Sequence, residues 1–82
     1  MARVALVTGG SRGIGAAISI ALKEAGYSVG ASYAGNDKAA AKFTAETGIN
    51  TYKWDVADYD NCVEGIGQVE AALGPVEVLV NN

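Results

Sequence analysis

The sequence predicts an α/β fold: a parallel sheet with helices packed against it. Three observations carry the prediction. Apolar strand-like runs alternate with stretches of helical periodicity along the whole chain, in the order βαβαβαβ. The first of those runs, Val4–Val7, is apolar at every position, as a strand covered on both faces is. Each helical stretch is closed by a glycine, at Gly26, Gly48 and Gly74. Strands alternating with helices imply right-handed crossovers between parallel neighbours.

The elements follow in order. Val4–Val7 ends at Thr8-Gly9-Gly10, a turn signal. Ile14, Ala17, Ile18, Ala21, Leu22 and Ala25 then recur at three- and four-residue spacing, which is one apolar helical face. Ser28–Tyr33 reads as a second strand, weakened by Gly30. Ala34–Asp37 is a loop that offers Asn36 or Asp37 as a helix cap. Lys38–Thr47 is an alanine-rich helix with Phe43 turned inward. Asn50–Trp54 alternates like a third strand. Asp55–Asp58 leads into a helix over Tyr59–Leu73, with Val63, Ile66, Val69 and Leu73 near helical spacing. Asp58 is the better cap there, which leaves Asp55 free. Gly74-Pro75 ends that helix, Val76–Val80 is the fourth strand, and Asn81-Asn82 closes the sequence. In an open parallel sheet the last strand feeds another helix, so residues 1–82 are expected to be part of a larger domain.

Composition narrows the chemistry. The 82 residues carry a net charge of −3 and no basic run, so no nucleic-acid footprint is expected and any grip on phosphate is local. One cysteine, Cys62, and no histidine leave neither an internal disulfide nor a metal site. A reducing, cytoplasmic setting fits this usage. The N-terminus does not read as a signal peptide, and the longest apolar helical run is broken by Lys23 and Glu24, short of a membrane span. Cys62 has no base near it in sequence and is expected to be inert.

The residues Thr8–Gly15 read TGGSRGIG. They follow the first strand and open the first helix, the context a phosphate-cradling turn requires. Gly9 suits the bend. Gly13 leaves room for a pyrophosphate to approach the backbone, and Gly15 lets the helix pack close to the sheet. The N–H groups of Gly13, Ile14 and Gly15 then face the anion at the positive end of the helix dipole. Each glycine in a helix start costs about 1 kcal/mol relative to alanine, which close approach explains. The spacing is T-G-x-x-x-G-x-G, and no lysine follows as a P-loop would need.

TGGSRGIG resembles the cofactor motif of the short-chain dehydrogenases/reductases. Asp55-Val56 after the third strand resembles the family's adenine-contacting pair. Asn81-Asn82 resembles the first half of its Asn-Asn-Ala-Gly motif, cut in the middle. The resemblance spans the whole chain and about the first third of a family member. It implies a Rossmann-like fold, the N-terminal part of a doubly wound domain, with residues 1–82 as a partial NADP(H)-binding domain. The wording of SYAGND and YKWDV is similar to the acetoacetyl-CoA reductases, whose close relatives within that family are the 3-oxoacyl-[acyl-carrier-protein] reductases. The resemblance implies an intact NADPH-dependent oxidoreductase that reduces a 3-oxoacyl thioester, and a homotetramer. A non-catalytic nucleotide-binding module, or a segment complementing another chain, are the alternatives.

The phosphorylated cofactor is favoured by residues. In NAD-preferring sites an acid at the end of the second strand bonds the ribose hydroxyls. Tyr33 stands there and Ala34 follows; Asp37 comes later and reads as a cap. Arg12 lies where its planar donor fork suits a 2′-phosphate. Ser11 and the Tyr33 hydroxyl add hydrogen bonds, and Lys38 is a second cation. Asn82 is expected beside the crevice at the carboxyl edge of the sheet, with Thr8 helping to hold the turn and Asn81 tying strands. Family catalysis needs a tyrosine with a lysine four residues on. Tyr27, Tyr33, Tyr52 and Tyr59 are followed at that spacing by Ala31, Asp37, Val56 and Val63, so no catalytic residue is assigned to this chain.

Overall fold

The computed structural model describes residues 2–82. Strand β1 (Val4–Thr8) leads to α1 (Gly13–Glu24), β2 (Ser28–Tyr33), α2 (Asp37–Thr47), β3 (Asn50–Lys53), α3 (Tyr59–Leu73) and β4 (Val76–Asn81). All strand pairs are parallel, in the order β3-β2-β1-β4. The chain therefore moves outward from β1 to β3, then crosses back over the sheet to place β4 on the other side of β1. With right-handed crossovers, that reversal puts α1 and α2 on one face and α3 on the other. The reversal point lies between the carboxyl ends of β1 and β4, the position at which open α/β sheets hold ligands.

Each face has its own core. Val7, Val29 and Ala31 meet Phe43 of α2 and Ile49, with Ile18 and Leu22 of α1 packed alongside. On the opposite face Leu6, Trp54 and Val69 meet Ile66 and Leu73 of α3. Strand β1 is buried along its whole length between them, as its unbroken apolar run requires. Strand β4 is an edge, with alternating half-buried and exposed residues and a register shift where Val78 follows Val76 against Ala5 and Val4. Among the described residues no helix is long and apolar enough to cross a membrane.

The elements fall where the sequence places them, with differences at the ends. Strands β1 and β4 each run one residue further, β3 stops before Trp54, and α2 begins at Asp37. Asn36, in left-handed conformation, is the cap of α2, and its side chain accepts from the Ala39 N–H. Asp58 caps α3.

Two helix faces differ from the periodicity. In α1 the buried residues are Gly15 and Ser19, with Ile18 and Leu22 half-buried, while Ala17, Ala21 and, just past the helix, Ala25 are exposed and Ile14 is 74% exposed. Small groups dictate this rotation. The Ser19 hydroxyl lies 2.9 Å from the carbonyl oxygens of both Gly10 and Gly15, so the helix seats on the turn through its least bulky side. In α3 Val63 is exposed and Gly65 is buried, because the Trp54 ring lies against the helix backbone. A Cβ at Gly65 would come within 2.3 Å of that ring.

Candidate functional site

The turn after β1 is tied to the strands on both sides of it. The Gly10 N–H donates to the Ser32 carbonyl at 3.1 Å, fixing the turn to β2. On the β4 side, Thr8 accepts from the Asn82 N–H at 3.0 Å and its hydroxyl donates to Asn81 Oδ1 at 3.1 Å. The Asn82 side-chain amide then donates to the Gly9 carbonyl at 3.3 Å. Thr8 thus holds the turn, and Asn81 links neighbouring strands.

The start of α1 differs from the other two helix starts. Asn36 and Asp58 cap α2 and α3 with side-chain oxygens. Arg12 occupies the cap position of α1 in extended conformation, makes no capping bond, and no acid lies in the first turn. Among the described residues, the first N–H groups of that helix have no side-chain acceptor. Gly13, at φ +54°, has no atom within 4 Å of where a Cβ would sit, so the surface is open there. Gly15 is the opposite case, closed against the Gly9 carbonyl.

An open cleft of about 540 Å³ lies against this turn. The expected residues Gly9, Ser11, Arg12, Gly13, Tyr33 and Asn82 all line it. Gly15 sits behind them in the helix–turn contact, and Ile14 projects into solvent. Asp55 and Val56 are exposed and outside the lining of this cleft, as is Lys38. Asp55 Oδ1 accepts from the Ala57 N–H at 2.9 Å, and among the described residues Oδ2 takes no hydrogen bond. The Cys62 thiol donates to the Val56 carbonyl at 3.2 Å and helps hold the same loop.

Three lining residues, Ala34, Gly35 and Asn36, were not among those expected. Their signal is Gly35-Asn36, a turn pair whose asparagine tolerates the left-handed region at φ 51°. Tyr33 and Asp37 behave differently from expectation. Asp37 is the first residue of α2, not its cap. Its carboxylate accepts from the Tyr33 hydroxyl at 3.0 Å and pairs with Lys53 Nζ at 3.2 Å. Lys53 first, then Tyr33, hold the Asp37 carboxyl below the ordinary carboxylate range. The bond to Asp37 chiefly raises the Tyr33 hydroxyl above its usual value. The Tyr33 proton is therefore committed to Asp37, which leaves its oxygen to face a ligand as an acceptor only.

A glycine turn at the switch point of a parallel sheet, an uncapped helix start and a cleft against that turn are the arrangement at which open, doubly wound α/β proteins hold ligands. A model of the family described as short chain dehydrogenase matches residues 3–82, and the chain belongs to that family. Acetoacetyl-CoA reductases of Shinella zoogloeoides and Paracoccus denitrificans are each 77% identical to it over 82 residues. Those matches cover all of this chain and 34% of each relative, so the chain spans about a third of their length. A dehydrogenase/reductase structure from Sinorhizobium meliloti 1021 superposes with a TM-score of 0.92 at 33% identity, covering all of this chain and 35% of that one. A blue fluorescent protein from a metagenomic library, solved with NADPH, does so with a TM-score of 0.89 at 38% identity, over 98% of this chain and 35% of its own.

Proposed function

We propose that the cleft binds NADP(H) and that residues 1–82 are the cofactor-binding segment of an NADPH-dependent reductase of 3-oxoacyl thioesters. The observation that carries this reading is the uncapped start of α1, with Arg12 at the cap position and Gly13 open to the cleft. A pyrophosphate there accepts from the N–H groups of Gly13, Ile14 and Gly15 and meets the positive end of the helix dipole. The space where a Gly13 side chain would project is what such a group needs. Arg12 forms no ion pair among the described residues, so its fork is available to a 2′-phosphate, with the Ser11 hydroxyl beside it. Asn82, held on Gly9, forms the wall of the cleft on the β4 side. Asp55, through Oδ2, and Val56 are assigned to the adenine, reached beyond the cleft itself.

Bound NADPH supplies the hydride for reducing a carbonyl. This chain binds and orients it; none of its tyrosines has a lysine four residues on, so the proton donor is assigned to the remaining two thirds that the relatives contain. The names of the relatives support acetoacetyl-CoA as the substrate, with a 3-oxoacyl-[acyl-carrier-protein] as the alternative. The intact enzyme is assigned to the cytoplasm, in keeping with a lone cysteine, and to a homotetramer, as the family resemblance implies.

The test is calorimetric titration with NADP⁺ and NAD⁺. It uses the chain itself and the same segment extended by the C-terminal two thirds of the Paracoccus denitrificans reductase. NADP⁺ should bind about tenfold more tightly or better, the worth of a charge-assisted hydrogen-bond set. Arg12→Ala should remove that preference. Equal affinity for both nucleotides in the unmodified proteins overturns the reading.

A further inference from the structure

We propose that Lys53 is a specificity-determining residue for the cofactor, acting through Asp37: it cancels a carboxylate beside the cleft that otherwise disfavours a 2′-phosphate. The inference rests on the NADP(H) reading above and adds a residue that lies outside the cleft lining.

Asp37 adjoins the cleft wall twice. It follows Asn36 in sequence, and it accepts the hydroxyl proton of Tyr33; both neighbours line the cleft. A free carboxylate in such a place accepts hydrogen bonds from a ribose diol and repels a phosphate in its stead. Here neither oxygen is free. Tyr33 donates to Oδ1 at 3.0 Å, and Lys53 Nζ lies 3.2 Å from Oδ1 and 3.3 Å from Oδ2. One positive and one negative charge leave the wall neutral, so Arg12 sets the sign of the potential that the phosphate meets.

The sheet builds this arrangement. Parallel pairing of β2 with β3 sets Lys53 opposite Tyr33, and the Trp54 N–H donates to the Tyr33 carbonyl at 3.0 Å just beyond. The register thus delivers the lysine to the side of Tyr33, and Tyr33 and Lys53 converge on Asp37 from adjacent strands. Lys53 and Asp37 are both largely exposed, so salt screens the effect and its size is that of a surface pair.

The test is equilibrium titration with NADP⁺ and NAD⁺ at low and high salt, on the chain and on its extended form. Lys53→Met keeps the aliphatic stem and removes the charge. It should weaken NADP⁺ about two- to fivefold at low salt and leave NAD⁺ unchanged or tighter, with the difference fading at high salt. Adding Asp37→Asn in the same chain should restore NADP⁺ affinity, and Lys53→Arg should behave as the unmodified protein. A merely structural lysine would weaken both nucleotides alike, with no rescue by Asp37→Asn, and that result overturns the proposal; so does no change for either nucleotide. Arg12→Ala run alongside separates the two claims. If Arg12→Ala lowers NADP⁺ affinity selectively and Lys53→Met does not, this proposal fails while the NADP(H) reading stands. If the unmodified protein does not prefer NADP⁺, both fail. Circular dichroism of each variant confirms folding before its titration counts.

Discussion

A Cβ atom on Gly15 would lie 2.0 Å from the carbonyl oxygen of Gly9 and 2.8 Å from the Asn82 side-chain amide. Helix α1 therefore rests on the turn through bare backbone, and Asn82 is clamped in the same contact. Gly15→Ala must push the helix, the turn or Asn82 aside. Overpacking of this kind costs about 1–3 kcal/mol. Urea unfolding should show a midpoint shift of that size, and unchanged stability would show that the contact yields freely.

Gly13 gives the converse. Beyond its own helix and chain neighbours, no atom of the described residues lies within 4 Å of its Cβ position, so Gly13→Ala meets chiefly the backbone cost of φ +54°, about 1–2 kcal/mol. The methyl group instead enters the cleft, where the proposed pyrophosphate approaches. NADP⁺ affinity should fall by about tenfold or more while the chain still folds, since a displaced phosphate loses charge-assisted hydrogen bonds. Retained affinity would place the phosphate elsewhere. The two glycines, two residues apart, separate packing from ligand approach.

What was legible from sequence, and what was not, divides along the same line. Strand and helix order follows from local periodicity, and the glycine motif carries its context with it, so Gly9, Ser11, Arg12, Gly13, Tyr33 and Asn82 lie around one cleft, while Ile14, Gly15, Asp55 and Val56 lie outside its lining. On α1 the periodicity places Ile18 and Leu22 correctly against the core, but hydropathy also gives weight to Ile14 and the alanines, which are exposed, and none to Gly15 and Ser19. Those small residues decide the seating by letting backbone touch backbone. The exposure of Val63 has the same origin, with Gly65 receiving the Trp54 ring. The Tyr33–Asp37–Lys53 link needs the register of β2 on β3, which pairs residues 20 apart and cannot be read from either segment alone.

That link also has a defined pH response. The Asp37 carboxyl is held below its ordinary value of 3.8, so its contribution to stability is present above that value and is lost as pH falls through the lower folded value. Tyr33 is raised above 10.0, so its contribution is present below that value and is lost as pH rises through the higher folded one. Between about pH 5 and pH 9 neither group changes its ionisation. The stability difference between the unmodified chain and Asp37→Asn should be flat across that window and shrink in acid below it. A difference that varies near pH 7 would assign the titration to another group.

Thr8 offers a test of how firmly the cleft wall is set. It is 8% exposed, and its hydroxyl accepts from the Asn82 N–H at 3.0 Å while donating to Asn81 Oδ1 at 3.1 Å. Thr8→Val preserves shape and removes both bonds, leaving the Asn82 N–H and the Asn81 oxygen without this partner. A buried polar group left unpaired costs about 1–3 kcal/mol, and a site open to water recovers part of it. Loss of stability near the lower end of that range is therefore expected, since Asn81 and Asn82 are exposed. The larger consequence falls on position. Asn82 holds the Gly9 carbonyl through its side-chain amide, so releasing its backbone loosens the turn at the point where Gly9 lines the cleft. NADP⁺ and NAD⁺ should weaken together in Thr8→Val, because the turn serves the pyrophosphate they share, whereas Arg12→Ala should affect NADP⁺ alone. Thr8→Ser, which keeps the hydroxyl, should bind both as the unmodified chain does. Loss of binding in Thr8→Ser equal to that in Thr8→Val would assign the role of Thr8 to its methyl group and not to its hydrogen bonds.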